Sequence, residues 1–176
     1  MIDIAFRKLE KRDLELLYKW LCNDEIYKWY GKSKRTYEDI ERKYLPRIEG
    51  QVPTKPYLII FDRNPIGYIQ TYKLSDYPDY AKCLGLDFDA ACIDVFLGDV
   101  KNMGKGYSRL ILRKFLEKVV FKIFSLDNAI IAPEINNLRA ISAYESAGFI
   151  YIKTAVSDNG DYEYIMAIER KDVTYD

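Results

Sequence analysis

The stretch ACIDVFLGDVKNMGKGYSRLILRKF, Ala91 to Phe115, constrains the fold more than any other part of the chain. A run rich in β-branched and aromatic residues reads as a strand, a loop ending in Gly-Lys-Gly follows, and the segment beyond it has helical apolar spacing. A strand that feeds a helix through glycines implies a sheet with helices packed on it. It also leaves the first N–H groups of that helix as donors at the positive end of its dipole. Glycines at Gly104 and Gly106 let the backbone approach a ligand closely, and Lys105 adds charge. The unit is built like an anion cradle, with an ordinary helix-capping loop as the alternative. It is not a P-loop, because Gly106 stands where Ser or Thr is required, and Gly98 lies one position too far away. A dinucleotide fingerprint fails too, since Gly104 and Gly106 are followed by Arg109 late in the chain.

The flanking segments extend the same alternation. A short strand is expected over Ile2 to Phe6, then a helix in which Leu14, Leu17, Trp20 and Leu21 share a face and Asp13 is the cap. Thr-Tyr-Glu-Asp at Thr36 resembles a capping box for a second helix, which should stop before Pro46. YLIIFD and IGYIQTY form a hairpin across a turn containing Asn-Pro. After the strand from about Cys92 to Leu97 and the helix from Gly106 to Val119 come NAIIA as a strand and NNLRAISAYESAG as a helix ending at Gly148. FIYIKTAV and YEYIMAIE close the chain as strands around an SDNGD turn. The order β-α-α-β-β-β-α-β-α-β-β predicts a mixed α/β fold in a single domain over residues 1–176.

Composition removes several chemistries. The chain has no His, which excludes Ser-His and Cys-His nucleophilic pairs. A general base must then be a carboxylate, a Lys, a Tyr or a relayed water. Three cysteines without a Cys-x-x-Cys pair argue against a disulfide framework and, with no His, against an ordinary zinc site, so no metal is expected. Lys plus Arg and Asp plus Glu each total 27, so net charge suggests neither nucleic acid nor an anionic membrane as partner. With no apolar leader and no membrane-length apolar segment, the expected location is the cytoplasm.

Lys-Asn-Met-Gly-Lys-Gly resembles the Q/R-x-x-G-x-G/A signature of the GCN5-related N-acetyltransferases, with Lys101 in place of the first residue. A second hallmark is the N-x-x-A-x-x-x-Y-x-x-x-G-F spacing from Asn137 to Phe149. Within that superfamily the blocks YKWLCNDEIYKWYG, TYEDIERKYLP, PIGYIQTY, CIDVFLGD, MGKGYSRLILR and NNLRAISAYESAGF are most similar to aminoglycoside 6'-N-acetyltransferases. The resemblance implies a mostly antiparallel central sheet, splayed at the acetyl-CoA site, with helices on both faces. It also implies transfer of an acetyl group from acetyl-CoA to an amine of a polycationic small molecule, directly and without an acyl-enzyme.

Such a transfer needs a neutral amine, a stabilised oxyanion and a proton for the departing thiolate. Asp94 is the candidate base or orienter, because a carboxylate amid CIDVFL is unusual unless it has a role or a partner; the alternative is an Asp facing solvent. By the resemblance, backbone N–H groups of Val95, Phe96 and Leu97 hold the oxyanion beside a strand bulge, and Tyr144 protonates the thiolate. A phenol near about 10 and a thiol near about 8.5 are reasonably matched for that step. The cofactor loop is Lys101, Asn102, Gly104, Lys105, Gly106, Tyr107 and Ser108, with Asn137 as a further contact or as a helix cap.

For the acceptor, Asp76, Asp79, Asp87, Asp89, Asp94 and Asp99 form an acidic run suited to a polycation. Trp29, Tyr30, Tyr68 and Tyr72 offer flat faces for a sugar ring or an ammonium, or they are core aromatics. Ala132-Pro133 stands where the resembling enzymes carry Asp-Pro, and Glu134 is the nearest substitute for that missing carboxylate. The runner-up acceptors are a polyamine, a siderophore precursor or a protein N-terminus; a non-catalytic acetyl-CoA-binding module is the alternative in another class.

Overall fold

The computed structural model describes residues 3–30, 35–98, 105–157 and 159–173. Within them the chain runs β1 (Ile4–Lys8), α1 (Leu14–Leu21), α2 (Asp24–Tyr30), α3 (Tyr37–Ile48), β2 (Lys55–Phe61), β3 (Asn64–Lys73), α4 (Pro78–Leu84) and β4 (Ala91–Leu97). It continues with α5 (Tyr107–Phe115), a π turn over Leu116–Val120, α6 (Phe121–Ile123), β5 (Asn128–Ile131), α7 (Leu138–Ser146), β6 (Ile150–Val156) and β7 (Tyr162–Glu169). The seven strands hydrogen-bond in the order β1-β2-β3-β4-β5-β7-β6. β4 and β5 are parallel, whereas β1 with β2, β5 with β7 and β6 with β7 are antiparallel, which is the mixed sheet expected. Contacts divide the chain into two units, Met1–Gln70 with Val95–Lys105, and Thr71–Asp94 with Gly106–Asp176.

In the first unit the stripe Leu14, Leu17, Trp20 and Leu21 is buried against Ile40 and Tyr44 of α3, Leu58, Tyr68 and Phe96. An eight-residue helix is too short to persist in water, so this burial, about 1.5–3 kcal/mol per large apolar side chain, is what holds α1. Thr36 and Asp39 form the reciprocal capping box, with Thr36 Oγ1 accepting from Asp39 N at 3.2 Å and Asp39 Oδ2 accepting from Thr36 N at 3.0 Å. Asp13 does not cap α1 with its side chain. Its carboxylate instead accepts from the Glu10 N–H at 2.8 Å and from both Arg7 guanidinium nitrogens at 3.0 and 2.8 Å.

Three expectations are corrected here. α3 continues through Pro46 to Ile48; the lost i to i−4 bond falls in the last turn, where the orphaned carbonyl belongs to exposed Arg42. The hairpin turn is Asp62-Arg63, both left-handed (φ 44° and 68°), and Asn64 already belongs to β3. Positive φ at both central positions is what a tight hairpin demands, and no glycine advertises it. Finally, α2 occupies part of the segment between the first two expected helices.

The second unit has its own core, in which Leu74, Leu84, Cys92, Ile130, Ile165 and Ala167 are buried. α4, absent from the expected order, lies between β3 and β4. Pro78 opens it at the first helical position, and Gly85 ends it in the left-handed conformation. The Leu74 N–H donates to the Ala90 carbonyl at 2.9 Å, closing the connection that carries α4. α7 ends in a Schellman motif: Gly148 N–H donates to Glu145 O at 2.9 Å and Phe149 N–H to Tyr144 O at 3.1 Å. Gly148 takes the φ of 100° that this motif needs, and Phe149, 2% exposed, anchors the turn. Tyr144 is thereby fixed in the last turn of α7.

Candidate active site

The second unit brings Asp94 and Tyr144 within electrostatic reach of each other. Burial first, and then the charge of Asp94, hold the Tyr144 phenol well above its ordinary value, so it keeps its proton at neutral pH. Asp94 lies on β4 immediately after Ile93, whose partner Ile131 is the last residue of β5. β4 runs on to Leu97, so Asp94 sits where the paired ladder with β5 ends and side chains can reach the strand ends.

Tyr72, Tyr80, Cys92, Asp94, Ile130 and Ala132 line a cleft of about 170 Å³. Two of its side chains carry further electrostatics. Tyr80 donates from its hydroxyl to Glu163 Oε2 at 3.0 Å, and burial, then Glu163 and Asp94, push its phenol far up. Burial followed by the charges of Asp94 and Asp89 raises the Cys92 thiol well above its ordinary value, against a hydrogen bond from Tyr72. Cys92 is therefore a protonated thiol and no nucleophile.

Tyr72 packs edge-on against Tyr77 at 4.8 Å between ring centres. Glu134 pairs with Glu163 in a single antiparallel bridge, so the two carboxylates leave opposite residues of adjoining backbone. Asp89 is structural: it accepts from Ser75 N, Ser75 Oγ and its neighbour Ala90 N at 3.0, 2.6 and 2.9 Å. Asp76, Asp79 and Asp87 are exposed.

The helix expected to follow the glycine loop begins at Tyr107, capped by Gly106 in the left-handed conformation (φ 77°) with open space where a Cβ would stand. The first turn of α5, with Tyr107 and Ser108, contains no carboxylate, and Arg109 stands there. Lys105 is exposed just ahead of it in sequence. These residues fit an anion such as the pyrophosphate of CoA by position and charge at a helix N-terminus. Lys101, Asn102, Gly104 and Asp99 lie outside the described residues. Asn137 takes the capping role, its carbonyl accepting from Ala140 N at 3.1 Å.

The remaining candidates lie in the first unit. Val95 and Leu97 are half-buried, and Phe96 is 8% exposed. Trp29 is half-buried with the Lys28 ammonium 5.0 Å from its ring centre. Tyr30 packs on Phe96 at 4.6 Å, with the Lys43 ammonium 5.8 Å from the Tyr30 ring. Tyr68 corrects the expectation of a sugar platform. It is fully buried, stacked on Phe96 at 5.5 Å and edge-on to Tyr44 at 5.3 Å, and its hydroxyl donates to Gln70 Oε1 at 2.5 Å.

The family model for the acetyltransferase (GNAT) domain matches residues 10–156. The chain belongs to the GNAT acetyltransferase family. This GNAT chain is 30% identical over 166 residues to the aminoglycoside N(6')-acetyltransferase type 1 of Klebsiella pneumoniae, spanning 93% of this chain and 82% of that protein. The protein of the same description from Serratia marcescens matches equally, at 30% over 166 residues with the same coverage of 93% and 82%. Two solved structures of aminoglycoside acetyltransferase AAC(6')-Ib share its fold at 27% identity. One, in complex with coenzyme A, has a TM-score of 0.83 over 96% of each chain. The other, with coenzyme A and kanamycin, has a TM-score of 0.82 over 96% of each chain.

Tyr80 and Glu163 were not among the site residues expected of this GNAT chain. Tyr80 lies on the unforeseen α4, and Glu163 is 83 residues away in an ordinary alternating strand. No local spacing connects them. The alternation of YEYIM puts Glu163 on the face opposite Tyr162 and Tyr164, which is the one signal available. Among the described residues no helix is long and apolar enough to cross a membrane.

Proposed function

We propose that this GNAT protein moves an acetyl group from acetyl-CoA to a primary amine of an aminoglycoside-like polycation, of the 6'-N-acetyltransferase type. The carrying observation is that Asp94 and a protonated Tyr144 lie within electrostatic reach of each other in one unit, with Asp94 lining a small cleft. Acetyl-CoA supplies the thioester acyl group. Asp94 orients the acceptor amine and takes a proton from it, directly or through water. Tyr144, whose proton is retained by burial and by Asp94, is the donor for the leaving sulfur. Backbone N–H groups after Asp94 hold the developing oxyanion, and the first turn of α5 with Lys105 to Ser108 holds the pyrophosphate. Tyr72 and Glu134, both in the second unit, contribute to the acceptor site.

Residues 1–176 act as one catalytic domain, a reading supported by the unit boundaries, Gln70/Thr71 and Asp94/Val95, which fall inside β3 and β4. The cytoplasm, where acetyl-CoA is available, is the proposed place of action. Ala132, which leaves the cleft without the expected Asp, favours as a second reading a simpler polyamine acceptor.

Thiol release from acetyl-CoA, measured against a panel of aminoglycosides, polyamines and peptides, tests this. Turnover with kanamycin supports the aminoglycoside reading, and turnover confined to polyamines replaces it with the second. No turnover on any amine, with CoA still bound, means a binding module.

A further inference from the structure

Tyr80 and Glu163 form a pair that the acetyl-transfer chemistry just described does not use. Tyr80 is a wall of the same small cleft as Asp94, and the charge of that carboxylate reaches its phenol. A phenol has one proton to give and oxygen lone pairs to receive. Glu163 Oε2 takes the proton at 3.0 Å, and the charges of Glu163 and Asp94 both oppose ionisation of Tyr80. The hydroxyl is thus turned so that its oxygen remains as an acceptor on a neutral side chain. The helix beneath it is set at both ends, by Pro78 and by left-handed Gly85, whose carbonyl accepts from Lys153 Nζ at 3.5 Å. Glu163 is carried by β7, where it faces Ala155 of β6 in the ladder and bridges to Glu134.

We infer that Tyr80, oriented by Glu163, is a specificity-determining residue: it accepts a hydrogen bond from the acceptor amine opposite Asp94 and restricts the cleft to unalkylated primary amines. The inference rests on the proposed amine acetylation. A primary amine has N–H bonds enough for Asp94 and for Tyr80, whereas N-methylation removes a donor and adds a methyl group to a small cleft walled by Tyr72, Tyr80 and Ile130. Apolar size alone discriminates by about 10- to 200-fold per methylene-sized group, and an unmatched polar group adds to that. Tyr80 is not the acid for the thiolate, because its proton is committed to Glu163.

The test compares kanamycin with kanamycin methylated at the 6' nitrogen, as acceptors for wild-type protein, Tyr80→Phe, Tyr80→Ala, Glu163→Ala and the Tyr80→Phe/Glu163→Ala pair. Wild type should prefer the unmethylated amine by roughly tenfold or more. Tyr80→Phe should lower kcat/KM for that amine by roughly tenfold while CoA affinity stays level. Tyr80→Ala should shrink or reverse the preference by admitting the methyl group. Glu163→Ala should resemble Tyr80→Phe, and the double variant should be no worse than either single one, because Glu163 acts through Tyr80. A preference ratio that is unchanged in Tyr80→Phe and Tyr80→Ala, in folded and active protein, overturns the inference and leaves the acetylation reading standing. Additive losses in the double variant overturn the claim that Glu163 works through Tyr80. If wild type acetylates neither compound nor any other amine, the functional reading falls and takes this inference with it.

Discussion

The charge of Asp94 reaches the phenol of Tyr144, which keeps its proton because it is half-buried and poorly solvated and because that carboxylate is near. The two side chains are thus electrostatically linked before any substrate arrives. Asp94→Asn should lower kcat by about 10² to 10⁴, the usual range for a lost general base. It should also bring the Tyr144 phenol part of the way down, readable by ultraviolet titration against a Tyr144→Phe control. A folded Asp94→Asn protein with an undiminished rate would remove Asp94 from the mechanism.

Tyr57, Tyr80 and Tyr144 all have phenols raised above 10.0, by burial first in each case, and Cys92 has a thiol raised above 9.0 for the same first reason. A raised folded value means that the native chain still holds these protons at a pH where the unfolded chain has released them. Stability from these groups is therefore fully present below about pH 8 and falls as the pH rises past the unfolded values of about 8.5 and 10. Urea midpoints measured from about pH 8 to 11 should show this decline, and Tyr80→Phe should make it shallower.

A methyl group at Gly98 would approach the Trp20 ring to 2.0 Å, in a core where Trp20 is 8% exposed and also packs edge-on to Phe96 at 6.2 Å. Gly98→Ala should cost about 1–3 kcal/mol of stability through overpacking. Chemical denaturation checks the magnitude. Pairing it with Trp20→Phe, which withdraws part of the obstructing ring, should recover some of the loss.

Gly106 presents a different case, because a Cβ there meets nothing within 4 Å but φ is 77°. Gly106→Ala should therefore cost about 1–2 kcal/mol in backbone strain with no steric clash. Calorimetric titration should show weakened CoA binding and nearly unchanged binding of the amine. Loss of amine binding with CoA affinity intact would reject the cradle.

Local signals made much of this chain legible. The Thr36 capping box, the α1 stripe, and the Asn137 to Phe149 segment that places Tyr144 all depend on residues a few positions apart, where helix and cap geometry leave little choice. Tyr68 was harder to place, because Ile66 to Thr71 is buried along its whole length and period-two alternation cannot distinguish a solvent face when neither side is exposed. α4 carries little local signal, because seven residues beginning with a proline have too little periodicity to separate a short helix from a loop.

By itself the sequence determined the order of strands and helices, the glycine-opened helix α5, and the exclusion of every histidine-based mechanism. Tertiary structure decided that the charge of Asp94 reaches Tyr144, and it decided the hydrogen bond from Tyr80 to Glu163. It also decided that Asp89 serves the backbone and Tyr68 the core. The division follows from range: propensity and capping act over one or two turns of chain, whereas burial and charge depend on residues that only the folded sheet makes neighbours.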